Sequence, residues 1–125
     1  GNTTRDTTPY FLTANHCVST STVASTIVVY WNYQSATCRT PGSSSSGTPL
    51  SKTIATHTQS GTTLVATNAA SDFALLRLNS NVPSGANPYF SGWDATGTAP
   101  TSAVGIHHPA GHEKRIAVEN NALTV

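Results

Sequence analysis

Apolar residues in this chain recur with a period of two almost wherever a period can be read, and no stripe at 3.6-residue spacing is sustained. That pattern excludes a helical bundle and leaves strands, each turning one face to a core. In "TIVVYWNY" (26–33), Ile27, Val29, Trp31 and Tyr33 fall on one face, with Val28, Tyr30 and Asn32 on the other. "TTLVAT" (62–67) is a shorter and weaker pattern of the same kind. "FALLRL" (73–78) is apolar on both faces apart from Arg77 and reads as a central strand. "SAVGIHH" (102–108) and "KRIAVE" (114–119) flank "PAGHE", whose Pro and Gly mark the loop of a hairpin. The expected class is all-β, a barrel or sandwich of short strands.

The connections are polar. "TPGSSSSGTP" (40–49) has no side chain to order it and is expected as an exposed connection. "NVPSGANP" (81–88) is a second long connection and a candidate boundary between two halves. Only 9% of the 125 residues are charged, against roughly 25% in an average soluble protein. Ser, Thr, Asn and Gly make up most of the polar remainder, which suits a secreted all-β protein. A formal net charge of +1 gives no reason to expect a nucleic acid or an anionic membrane as partner. No apolar run reaches the ~18 residues of a membrane span, and Gly1 does not begin a signal peptide, so a mature or truncated chain is expected. Two cysteines, Cys17 and Cys38, are too few for a disulfide scaffold. They could pair with each other, sit free, or have partners elsewhere.

Chemistry concentrates at two residues. His16 follows the apolar stretch Tyr10, Phe11 and Leu12, at the end of what reads as a buried strand. Rigid placement of that kind suits a catalytic group. A lone histidine is otherwise most simply a structural one. Asp72, one of only five acids, immediately precedes the FALLRL strand. A carboxylate there is costly unless it is hydrogen-bonded or paired, for instance as a cap on nearby amides. A histidine needing orientation and a carboxylate needing a donor satisfy each other. Together they form the base-and-orienter part of a nucleophilic triad.

"FLTANHC" (11–17) resembles the T-A-x-H-C signature of trypsin-like serine proteases, and "SDFALLRL" (71–78) resembles their D-x-A-L-L segment, in the same order. The similarity is closer still to bacterial lysyl endopeptidases, through "STIVVYWNYQSATCR" (25–39), "TQSGTTLVATNAASDFALLRL" (58–78) and "GIHHPAGHEKRIA" (105–117). This resemblance implies a chymotrypsin-like double β-barrel, here incomplete: most of the first barrel plus the opening hairpin of the second. Residues 1–80 are then a partial N-terminal barrel, 81–101 a connecting segment, and 102–125 the start of the C-terminal barrel. It implies His16 as general base and Asp72 as orienting carboxylate, with a ring nitrogen within about 3.2 Å of a carboxylate oxygen.

The family's nucleophile lies in a G-[DS]-S-G motif that these residues do not contain, and "GSSSSG" (42–47) resembles no nucleophile turn. The serine is therefore expected outside the chain, and the 125 residues alone are expected to be inactive. The resemblance also implies that Cys17 and Cys38 bond to upstream partners and not to each other. Peptide or protein substrates, preference for lysine, secretion, no cofactor and a monomeric full-length enzyme complete what it implies.

Two other constellations compete. His107, His108 and His112 lie close in "HHPAGH", but Pro109 and Gly111 argue against a shared helix face, and "HEKRI" has Ile116 where a zincin has its second histidine. No metal site is expected. The alternative to a protease is a non-catalytic secreted β-domain, carbohydrate-binding or adhesin-like, using Trp31 or Trp93 as a sugar platform. Such a module has no need for an acid opening its most apolar strand.

Overall fold

The computed structural model describes residues 4–124. The fold is all-β: among these residues seven strands form three antiparallel sheets, and helix is confined to one five-residue segment and three single 3₁₀ turns. The chain divides into two compact units, one running up to Trp31 and resuming over His57–Gly92, the other made of Asn32–Thr56 and the chain from Trp93 onward.

In the first unit, strand β1 (Tyr10–Thr13) pairs with β5 (Phe73–Leu78), which pairs in turn with β4 (Thr62–Asn68). The FALLRL segment is thus the central strand, as its pattern predicts. It is buried on one face only: Ala74, Leu76 and Leu78 are inside, while Phe73 and Arg77 are exposed. Val18, Ala24, Ala74 and Leu76 form the core, with Phe11, Ile27 and Leu64 packed on it. The short helix α1 (Ser21–Ser25) begins where the Thr20 hydroxyl accepts the Val23 N–H. It reaches β4 through the Thr62 hydroxyl, which donates to the Ala24 carbonyl at 2.7 Å. A bulge in β4 leaves Val65 without a partner, so that Leu64 faces Leu76 while Ala66 faces Leu75 and Thr67 faces Ala74.

Strand β2 (Val28–Trp31) pairs with β3 (His57–Ser60) in the same unit. The expected strand over 26–33 is shorter than its pattern, because Asn32 takes a left-handed conformation with φ of 56° and turns the chain away. Tyr33 then lies buried in the second unit, its hydroxyl donating to the Leu50 carbonyl at 2.6 Å.

The second unit contains the expected hairpin, β6 (Ala103–His107) with β7 (Arg115–Glu119). Its organising group is Glu113, only 1% exposed. One carboxylate oxygen accepts the Leu50 N–H at 3.0 Å, and the other lies 2.7 Å from Arg115 and 3.4 Å from Arg39. The two arginines then donate onward into the serine-rich loop, Arg39 to the Ser45 and Thr48 carbonyls and Arg115 to that of Ser46. Residues 40–49, expected as an exposed connection with no side chain to order it, are mostly exposed but are tied down by the two arginines and by the Ser46 hydroxyl, which donates to the Thr40 carbonyl. Cys17 and Cys38 are exposed free thiols.

Two outcomes follow from this packing. Leu76→Ala removes the largest fully buried apolar side chain of the core and is expected to cost about 2–5 kcal/mol, against about 0.5 kcal/mol or less for Arg77→Ala on the open face, read by denaturant unfolding. Acid should release the serine-rich loop. The Leu50 N–H, ahead of the two guanidinium groups, holds the Glu113 carboxyl below its ordinary range. Its stabilisation is thus complete above the unfolded pKa of about 4.3 and is lost as pH falls through the lower folded value. Hydrogen exchange at the Leu50 amide, followed from neutral to acid pH, checks this, and Glu113→Ala, which removes the acceptor, should expose that amide already at neutral pH.

Candidate active site

His16 lies three residues beyond the end of β1, in a turn rather than on the strand. The Cys17 and Val18 amides both donate to the Ala14 carbonyl, closing the turn. On one side Thr13 is paired with Ala74, and on the other Val18 is sunk in the core at 2% exposure. The imidazole is thus carried between two fixed points of backbone while its ring stays open to solvent.

Asp72 ends the four-residue connection between β4 and β5. The connection is built by Asn68, whose side-chain oxygen accepts the Ala70 and Ser71 amides. Asp72 itself has φ of 49°, a left-handed conformation that aspartate tolerates better than most residues. A non-glycine residue held there costs energy, which the surrounding bonds must offset. The conformation turns the chain into β5 and leaves the carboxylate facing the His16 turn.

The two meet twice. Oδ1 of Asp72 accepts the His16 backbone N–H at 2.9 Å, and Oδ2 lies 2.7 Å from Nδ1 of the ring. The separation expected from the sequence is present. The bond to the His16 backbone N–H, then the ring contact, hold the Asp72 carboxyl below its ordinary value. At neutral pH it is therefore a carboxylate and can only accept, so the proton between them belongs to Nδ1. A neutral His16 then carries its lone pair on Nε2, the arrangement a general base requires. Neither side chain is buried: His16 is 72% and Asp72 50% exposed.

Beside the pair, the Asn15 amide donates to the Thr67 hydroxyl at 2.7 Å, and that hydroxyl donates to the Phe73 carbonyl at 3.0 Å. Neither residue is signalled by a motif, and only the bulge in β4 reveals that Thr67 reaches this position.

The histidine-rich loop is engaged differently. His108 stacks on Tyr33 with ring centroids 5.8 Å apart, and its Nδ1 bonds to the His112 carbonyl oxygen at 2.9 Å. Among the described residues no three histidine, cysteine or acidic side chains group so as to hold a metal ion. No helix among them is long and apolar enough to cross a membrane.

The carboxylate titration separates the two contacts. In His16→Ala the Asp72 carboxyl should titrate higher than in the parent chain yet stay below the ordinary range, because the backbone N–H remains and is the larger cause. Carbon-13 NMR of the Asp72 carboxyl reads this directly, and equal midpoints would show that the ring contact does not form.

Compared with known families, the whole chain from residue 1 to residue 125 matches the lysyl endopeptidase C-terminal domain. The chain is a member of the lysyl endopeptidase C-terminal domain family.

Proposed function

We propose that these residues supply the general base and its orienting carboxylate to a secreted serine endopeptidase that cleaves peptide bonds by acyl transfer. The observation that carries the reading is the two-point contact between His16 and Asp72, with Nε2 free to take a proton. In this reaction His16 removes the proton of an attacking serine hydroxyl and returns it to the leaving amine, while Asp72 keeps the tautomer and stabilises the imidazolium. The nucleophile, the oxyanion donors and the pocket for the substrate side chain lie outside residues 1–125. Peptide or protein is the substrate, with lysine preferred before the cleaved bond, and neither nucleic acid nor membrane takes part. Support for lysine comes from the family alone. The enzyme acts as a monomer outside the cell and needs no cofactor. A sugar-binding reading gains nothing from Trp31, which is partly buried and spends its indole N–H on Gln59 at 3.2 Å.

The test compares the 125-residue chain with a longer chain extended through the downstream serine, on esters of lysine, arginine and alanine. The longer chain should turn over the lysyl ester preferentially, and the short one should not exceed background. In the longer chain Asp72→Asn should lower kcat by about 10⁴-fold through the wrong tautomer. His16→Ala should lower it by about 10⁶-fold. Turnover by the short chain that disappears in His16→Ala would place the nucleophile within these residues and sink the proposal.

A further inference from the structure

The His16–Asp72 pair presents a physical difficulty. Both side chains are at least half exposed, so water competes for the bonds between them, and the strand pairing and buried Val18 that fix the ends of the His16 turn do not reach its exposed middle. Further bonds there would add to what the strands already fix.

The neighbouring residues supply them. Asn15 immediately precedes His16, and Phe73 immediately follows Asp72. The Asn15 amide donates to the Thr67 hydroxyl at 2.7 Å, and that hydroxyl donates to the Phe73 carbonyl at 3.0 Å. A two-bond bridge thus runs parallel to the two bonds between His16 and Asp72, one residue further out on each segment. Each member suits its place chemically. An amide NH₂ can only donate here, a backbone carbonyl can only accept, and a hydroxyl between them does both at once. Donating to the carbonyl also polarises the hydroxyl oxygen toward the amide, so the two bonds strengthen each other. Thr67 stands opposite Ala74, beside Phe73, because the bulge at Val65 moves it one place along β4.

We propose that Asn15 and Thr67 are positioning residues for the His16–Asp72 pair: their bridge locks the turn carrying the base to the hairpin carrying the acid. The inference rests on the protease reading. Both bonds of the bridge run between segments of this chain, and it acts through His16. Its loss leaves substrate binding intact and lets the imidazole sample orientations that cannot accept the serine proton, a defect in kcat and not in KM.

The experiment uses the longer, serine-containing chain with Asn15→Ala, Thr67→Val and Thr67→Ser. Hydrogen exchange at the His16 amide reads the bridge without requiring hydrolysis. Asn15→Ala and Thr67→Val should each accelerate that exchange by about tenfold, with exchange at Leu76 in the core unchanged. In the same variants kcat on the lysyl ester should fall by about tenfold at constant KM, and Thr67→Ser, which keeps the hydroxyl, should match the parent in both measurements. The proposal is overturned if His16 exchange does not change, if Leu76 accelerates equally, if Thr67→Ser behaves like Thr67→Val, or if KM takes the loss. A parent chain that hydrolyses no ester would instead overturn the protease reading, while the exchange measurement would still decide whether the bridge holds the pair.

Discussion

One carboxylate accepting two hydrogen bonds from a single residue, 56 positions away in sequence, is the constraint around which the first unit is arranged. Bringing such distant segments together carries a loop-closure cost that an exposed pair of bonds does not offset by itself. The cost is met by pairing of β1 with β5 in a register that sets Thr13 opposite Ala74, and by the apolar inner face those strands share. The core therefore does no chemistry but fixes where chemistry can happen. Asp72 in its left-handed conformation is the point where that stability is spent on geometry.

The same device recurs elsewhere in the chain. For Asp72, Glu113 and Glu119 alike, the largest influence holding the carboxyl low is a backbone N–H, from His16, Leu50 and Asn121 respectively. With 9% of its residues charged, this protein has few cations to distribute. Amides of the main chain take over much of the work that lysine and arginine do in a more highly charged surface. Such donors do not move with side-chain rotamers, so a carboxylate held by one is placed as firmly as the backbone itself.

How much of this was legible beforehand follows the physics of each segment. FALLRL and the 103–119 hairpin announced themselves because apolar alternation and turn residues act locally. Strand β3, His57–Ser60, carries almost no apolar signal and exists because β2 offers it a ladder, with Gln59 buried to bind Trp31 and the Ser80 carbonyl. The five residues of α1 are too few for any period to show. Order in the serine-rich loop was invisible in its composition, since it comes from hydroxyl and backbone bonds within the loop together with Arg39 and Arg115 from outside. For the site, His16 and Asp72 could be read because a motif names them. Asn15 and Thr67 could not, because their meeting depends on a register shift that no residue type encodes.

That shift has a consequence for which changes the β4–β5 hairpin can absorb. Val65 is about half exposed and has no cross-strand partner, so the identity of its side chain matters little. Its exclusion from the ladder matters a great deal. If Val65 instead entered the ladder, regular pairing would bring Ala66 opposite Ala74 and Thr67 opposite Phe73, and the threonine would lose its place beside Asn15. What the hairpin must keep is an offset: the side chain at this position is free, but the pairs that follow it along β4 hold only while it stays outside the ladder.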